Sequence, residues 1–455
     1  MLLALASTPA RAATPSLVSG EASWILQTVQ PDGAIATNPD GRLVWPYLAN
    51  YAASGLARAA AQGNASAASA GWAWTRWYQA HEDANGYVTD YERGPSGLAS
   101  NGNMDSTDAY AGTYLVAVRD LAFATGDTTS LARVRTGVTA AVRAIESTQD
   151  TDGLTWAKPS WHVKYLMDQA ETYGGLVAAG DIARQLGDTV LASRADADAR
   201  KLKAAVARLW NPATGAYDWA VHDTGVHQTT NWAIVYPDAM QQVWAVAWGL
   251  TDATTGASIM KRFSATTPPR VTPMLAVRFN DGTKPVGYWG VACWAMRQAG
   301  ENSAACASSI RVAALATGHA WPYTSAVAGQ LIVASSPVLV AKTATTNAPT
   351  TTVAKSTVNG ASTSPTVGTT SSPPTGTTGS TTPLTQVPTA GVTGSGAGGA
   401  AALRPLDISY ASVGPRAPSG GLVTLGAAIL GYLAYFRLPR VRARLRTRPV
   451  GFAYS

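Results

Sequence analysis

Two short stretches of this chain put acidic side chains where the start of a helix can use them. Met104-Asp105-Ser106-Thr107-Asp108-Ala109-Tyr110-Ala111-Gly112 and Met167-Asp168-Gln169-Ala170-Glu171-Thr172-Tyr173-Gly174-Gly175 both fit Met-Asp-x-x-[Asp/Glu]-x-Tyr-x-Gly. Acids three residues apart share one helix face, and acids in a first turn suit the positive end of the helix dipole. Taken singly, Asp105 and Asp168 read as N-caps. Capping does not explain why Met, Tyr and Gly recur at matching offsets, whereas a duplicated structural unit does. Asp108 and Glu171, one turn further in, would be buried on the face of those caps. A buried acid is costly without a partner or a function, so these two are the better candidates for proton transfer. Asp238, directly after Pro237, is a fifth acid at an expected helix start; simple complementation of the dipole is its alternative.

The elements that must position these acids are helices in pairs. Ala-rich amphipathic runs dominate residues 17–336, with few β-branched alternations. Surface-type helices are expected at about 18–28, 65–80, 129–147, 190–209, 256–266 and 303–316. A more apolar partner follows each, at about 46–61, 105–125, 165–186, 237–250, 286–299 and 322–336. The loops between partners carry a signature: Asp32-Gly33-Ala34, Asn85-Gly86-Tyr87, Asp152-Gly153-Leu154 and Thr214-Gly215-Ala216, each placing Gly in a tight turn. Trp45-Pro46-Tyr47, Tyr236-Pro237-Asp238 and Trp321-Pro322-Tyr323 open three inner helices with proline at the first helical position. Repetition on this scale implies a closed or stacked array of helical hairpins.

Such an array resembles the six-hairpin glycosidase superfamily over about residues 17–336, through the hairpin rhythm, the Asp/Asn-Gly loops and the acids at inner-helix starts. The resemblance implies an all-α (α/α)6 toroid. A local likeness to unsaturated glucuronyl hydrolases lies in acids at successive inner helices about sixty residues apart; Asp105 and Asp168 are 63 apart. The His-rich details of that group are not evident.

In a toroid all six inner N-termini and all six loops share one face. That face would collect Asp105, Asp108, Asp168, Glu171 and Asp238. Around them would stand Trp45, Trp156, Trp161, Trp219, Trp232, Trp289 and Trp321, with Tyr47, Tyr110, Tyr173 and His162. Carboxylates framed by aromatic walls suit cleavage of a glycosidic bond. One acid protonates the leaving oxygen, and another activates water or attacks the anomeric carbon. Crowding in a partly dry pocket lets one of them hold its proton at neutral pH, and indole faces offer flat area for sugar rings. Trp72, Trp74 and Trp77 fall on an outer helix and read as packing. His222, Asp223 and His227 share a loop but match no strong metal-ligand spacing; neither metal nor cofactor is expected. A glycan-binding toroid without catalysis is the alternative. A terpene-cyclase-like barrel would want Asp-x-Asp-Asp, which Asp105-Ser106-Thr107-Asp108 does not supply.

The rest of the 455 residues reads as tether and anchor. From Ala341 to Ser419 the chain is dominated by Thr, Ser, Pro, Gly and Ala, too poor in apolar side chains to offset ordering entropy. The formal charge of +7 belongs to the tail: ten basic residues and one acid after Ala341 contribute +9, leaving the body at −2. A basic nucleic-acid-binding face is therefore unsupported. Residues 420–437 are apolar, carry Tyr432, Tyr435 and Phe436, and run into the Arg-rich stretch 438–455, as expected of a membrane span with a cytoplasmic flank. Residues 1–16 look like the end of a secretion signal without its charged region. Signal plus anchor would hold the body on the extracellular face, where Cys293 and Cys306 can pair across a short hairpin.

Overall fold

A computed structural model of the chain describes residues 16–266 and 289–341. The expected leader up to residue 15, and the linker, span and basic tail beyond residue 341, lie outside the described residues. No helix among the described residues is long and apolar enough to cross a membrane.

Six outer–inner pairs follow one another: α1 (Leu17–Thr28) and α2 (Pro46–Ala61); α3 (Ala65–Ala80) and α4 (Thr107–Thr125); a broken outer helix, α5 (Thr128–Arg133) with α6 (Arg135–Thr148), and α7 (Leu166–Gln185); α8 (Thr189–Ala207) and α9 (Met240–Ala247); α10 (Ala253–Thr266) and α11 (Trp289–Gln298); α12 (Ser303–Ala316) and α13 (Ser325–Ser335). The inner helices close a ring. α2 packs on α4, α4 on α7, α7 on α9, α9 on α11, α11 on α13, and α13 returns to α2. Inner helices are apolar nearly all round: every residue of α13 from Ser325 to Ala334 is buried. The outer helix α8 buries only a stripe, including Leu191, Ala195, Ala199, Leu202 and Val206, as amphipathic periodicity requires.

Two crossings in the ring are made backbone to backbone. A Cβ on Gly175 would stand 2.3 Å from the Gly112 Cα, and one on Gly55 would stand 2.6 Å from the Gly329 Cα. The glycine of the duplicated motif is thereby explained, because α4 and α7 touch where both copies lack a side chain. The loop glycines have a second use. Gly33, Gly86, Gly153 and Gly215 all adopt positive φ, which glycine accepts without strain. Each sits against the outer helix of the next pair: Gly33 on Ala73, Gly86 on Ala140, Gly153 on Lys201 and Ala205, and Gly215 on Arg262.

Several expectations need correction. The body is not purely helical, because the inter-helix loops pair as short antiparallel strands. β1 (Leu43–Val44), β2 (Tyr91–Gly94) and β3 (Gly97–Ser100) join the loops of the first two hairpins. β4 (Val163–Tyr165), β7 (Ala220–His222) and β8 (His227–Gln228) join those of the third and fourth, and β5 (Trp210–Asn211) pairs with β6 (Ala216–Tyr217). Such brief pairs leave no alternation long enough to read. Pro46 does open α2, but Pro237 lies in a π-helical turn, Val235–Ala239, ahead of α9, and Pro322 precedes α13 by three residues.

Capping also divides the two rings. Ser16, Asn64, Asp127, Asp188 and Asn302 cap outer helices through side-chain oxygens, whereas α2, α4, α7, α9 and α13 have no side-chain cap. Asp105 is not in α4 at all, whose N-cap is Ser106, and Asp168 lies inside α7, whose N-cap is Tyr165. Neither acid is a cap. Cys293 on α11 and Cys306 on α12 form a disulfide, and it staples an inner helix to the next outer one.

Replacing Gly175 by Ala tests the α4–α7 crossing. The gain in helix propensity is outweighed by backbone overlap, and a loss of about 1–3 kcal/mol is expected. An unchanged denaturation midpoint would show that the helices do not meet there.

Candidate active site

The acids gather where α2, α4, α7 and α9 converge. Glu171, fully buried in α7, reaches across the ring. Its Oε1 accepts hydrogen bonds from Tyr47 Oη at 2.7 Å and Trp244 Nε1 at 2.8 Å, and a third from the Tyr51 hydroxyl. Tyr47 and Tyr51 belong to α2 and Trp244 to α9, so one carboxylate oxygen ties three inner helices. Glu171 Oε2 is buried and has no hydrogen-bond partner. Burial pushes the Glu171 carboxyl up to about 8, against the lowering effect of its three donors.

Asp108, in the first turn of α4, is bonded into the frame in another way. Its Oδ2 accepts from Thr155 Oγ1 at 2.5 Å and its Oδ1 from the Ala109 amide at 2.8 Å. Thr155 is held in turn by Gln169, whose Oε1 accepts from the Thr155 amide and whose Nε2 donates to its carbonyl. Gln242 of α9 grips both backbone groups of Tyr217 identically. Burial raises the Asp108 carboxyl to about 7.

Asp168 differs from both. It is only 4% exposed, and among the described residues no donor reaches its carboxylate. Burial first, then Asp108, Glu171 and Asp105, push its carboxyl well above the usual range. Asp105, on the loop before α4, is partly exposed; burial raises it to about 7 while Lys158 draws it down. A fifth member, Asp90, carried no signal in the sequence. It is buried, accepts from Tyr110 Oη at 2.8 Å, exchanges backbone hydrogen bonds with Asn101 and Asn103, and is pushed up to about 7 by burial.

The aromatic candidates divide. Tyr47 and Tyr110 stack with centroids 5.7 Å apart, linking Glu171 to Asp90. Trp161 is 45% exposed and donates its indole N–H to Tyr165 Oη, whose own titration is pushed up to about 12 by burial. Trp321, 57% exposed, stands on the sixth loop, and Trp45 is half-buried at the start of α2. His162 is exposed, with its ring against Trp156 and Nε2 bonded to the Pro159 carbonyl. Tyr173 does not join the acids: it faces α8, under the Lys203 ammonium. Trp232 is buried, bonded to the Thr214 carbonyl and covered by Arg262. Asp238 is also buried apart from the cluster; its Oδ1 accepts from the Asn231 amide, and burial raises its carboxyl. Trp219 packs with Val163, Ala220 and Tyr165. Trp289 opens α11, and its side chain lies outside the described set. Trp72, Trp74 and Trp77 are buried packing residues; Trp74 Nε1 donates to Asn50 Oδ1. His227 pairs with Asp218 rather than with His222 or Asp223, and no group of His, Cys, Asp and Glu among the described residues is arranged to hold a metal ion.

No protein-family model matches the chain, and no curated protein matches it. Solved structures do. A wild-type glycosidase superposes with a TM-score of 0.53 at 16% identity over 70% of this chain and 95% of its own. An uncharacterized conserved protein of Thermus thermophilus gives 0.51 at 12%, over 70% and 99%. A GH63 mannosylglycerate hydrolase of the same organism, solved with glucose, gives 0.50 at 12% over the same shares. The described body therefore shares its fold with these solved structures.

The cluster has a signature in stability. Asp90, Asp105 and Asp108 titrate near 7 and Glu171 near 8 when folded, against about 4 in an unfolded chain. Between these values the native state holds protons that the unfolded state has released, so stability falls as pH rises from about 4 to about 8. Thermal midpoints across that range should decline, and Asp168→Asn should flatten the decline. A midpoint that climbs with pH would contradict the cluster.

Proposed function

We propose that this chain is a glycoside hydrolase that works at the acids around α4 and α7. The observation that carries the proposal is Asp168: a carboxyl in the first turn of an inner helix, without a donor among the described residues, beside three other acids and capping nothing. Such a group keeps its proton at neutral pH and can give it up to a leaving oxygen. In this reading Asp168 transfers its proton to the glycosidic oxygen as the bond to the anomeric carbon breaks. Asp105, nearer solvent and beside Lys158, is the ionised partner that acts on that carbon through water or directly. Asp108 and Glu171 are held by other groups and act by position. Trp161, Trp321 and Trp45 offer ring faces to the sugar. The fold shared with solved glycosidases supports the reading. Sequence composition supports a body carried outside the cell by a Thr/Ser/Pro/Gly-rich tether and a C-terminal span.

The test is hydrolysis by the full chain on a panel of aryl glycosides and oligosaccharides, with Asp168→Asn and Asp105→Asn alongside. Each change should cost about 10²–10⁴-fold in kcat with the circular dichroism spectrum intact. Full activity in Asp168→Asn would remove it as the acid. Glycan binding by all three proteins with no turnover by any would favour a binding toroid.

A further inference from the structure

We propose that the sugar unit taken at this site carries no negative charge, an inference that rests on the hydrolase reading and specifies its substrate class. The site is rich in acceptors and poor in donors. Asp168 has no donor among the described residues, and in the hydrolase reading its one proton goes to the leaving oxygen. A carboxylate only accepts, whereas a sugar hydroxyl both donates and accepts. Hydroxyls would therefore satisfy the remaining Asp168 and Asp105 oxygens, and a uronate would add a further acceptor.

Charge points the same way. Five carboxyls, Asp90, Asp105, Asp108, Asp168 and Glu171, crowd one region, and each of Asp90, Asp108, Asp168 and Glu171 is pushed upward partly by another acid of the set. A sixth carboxylate in the same low-dielectric space would be repelled by whichever of them is ionised, Asp105 in the hydrolase reading. The described cations on the neighbouring loops already have partners. Lys158 Nζ donates to the Met104 carbonyl and offsets Asp105. Lys164 bridges Asp150 and Asp152 beneath Trp156. Arg42 pairs with Glu92, and Arg93 donates to the Gly41 carbonyl. Anchoring a uronate calls for a bidentate guanidinium or a free ammonium, and among the described residues the cluster presents neither.

The deciding experiment compares matched pairs. The full chain is given α- and β-linked aryl glycosides of glucose, galactose and mannose at about pH 7, each beside its uronide, which differs only in carrying a carboxylate at C6. The kcat/KM for the neutral member should exceed that of its uronide by at least about tenfold, a difference of about 1.4 kcal/mol. Equal rates, or preference for a uronide, would overturn the inference while leaving the hydrolase reading intact. If no glycoside is cleaved, the hydrolase reading fails, and binding then decides the charge question by equilibrium dialysis against neutral and uronate oligosaccharides. Tighter binding of the neutral set upholds the inference; tighter binding of uronates, or binding of neither, overturns it.

Discussion

One carboxylate oxygen, Glu171 Oε1, carries the constraint on which the centre of the ring depends. Its three donors come from α2 and α9, helices that are separated along the ring by α4 and α7 on one side and by α11 and α13 on the other. Nearest-neighbour packing fixes each inner helix only against the next, and errors can accumulate around a closed ring. A contact across the centre removes that freedom. The tie requires a buried acceptor strong enough to hold three donors at once, and a carboxyl meets this at the cost of desolvation that its raised titration records.

Around this centre the two rings satisfy their helix ends in opposite ways. Outer helices close their first turns with their own Ser, Asn and Asp. Inner helices take partners from elsewhere in the fold: the Met167 amide donates to Gln241 Oε1, Leu166 to the Trp219 carbonyl and Thr107 to the Ala157 carbonyl. The acids near the inner N-termini are thereby released from capping. This separation is what lets Asp105 and Asp168 face the same space as Asp108 and Glu171.

The hairpin rhythm was legible because it depends on periodicity and on glycine at forced turns, both local properties. Outer-helix limits followed closely for the same reason. What escaped depends on partners distant in sequence. Asp90 sits in a loop with no local pattern, and only the fold brings it to Tyr110. Tyr51 and Trp244 read as ordinary apolar-face residues until the ring closes over Glu171. The capping assignment of Asp105 and Asp168 failed because a short-range preference was overridden by tertiary donors and acceptors. Tyr173 was expected to match Tyr110, but the two motif copies meet face to face across their crossing. A side chain two residues before the crossing glycine lies about 200° round the helix from it, and so turns away from the neighbour. On α4 that direction leads to Tyr47, on α7 to Lys203.

The glycine contact between α4 and α7 also acts as a fulcrum. Asp108 stands four residues before Gly112, an arm of about 6 Å along the axis, whereas the Glu171 backbone lies at the contact itself, against Gly112. With the backbones already touching, the helices cannot approach further; they can only pivot, like the blades of scissors. A change of about 10° in the crossing angle would move Asp108 by about 1 Å past Glu171, on the scale that separates productive from idle placement of reacting groups. The spacing between the two acids is therefore governed by an angle, and through it by whatever presses on the far ends of α4 and α7.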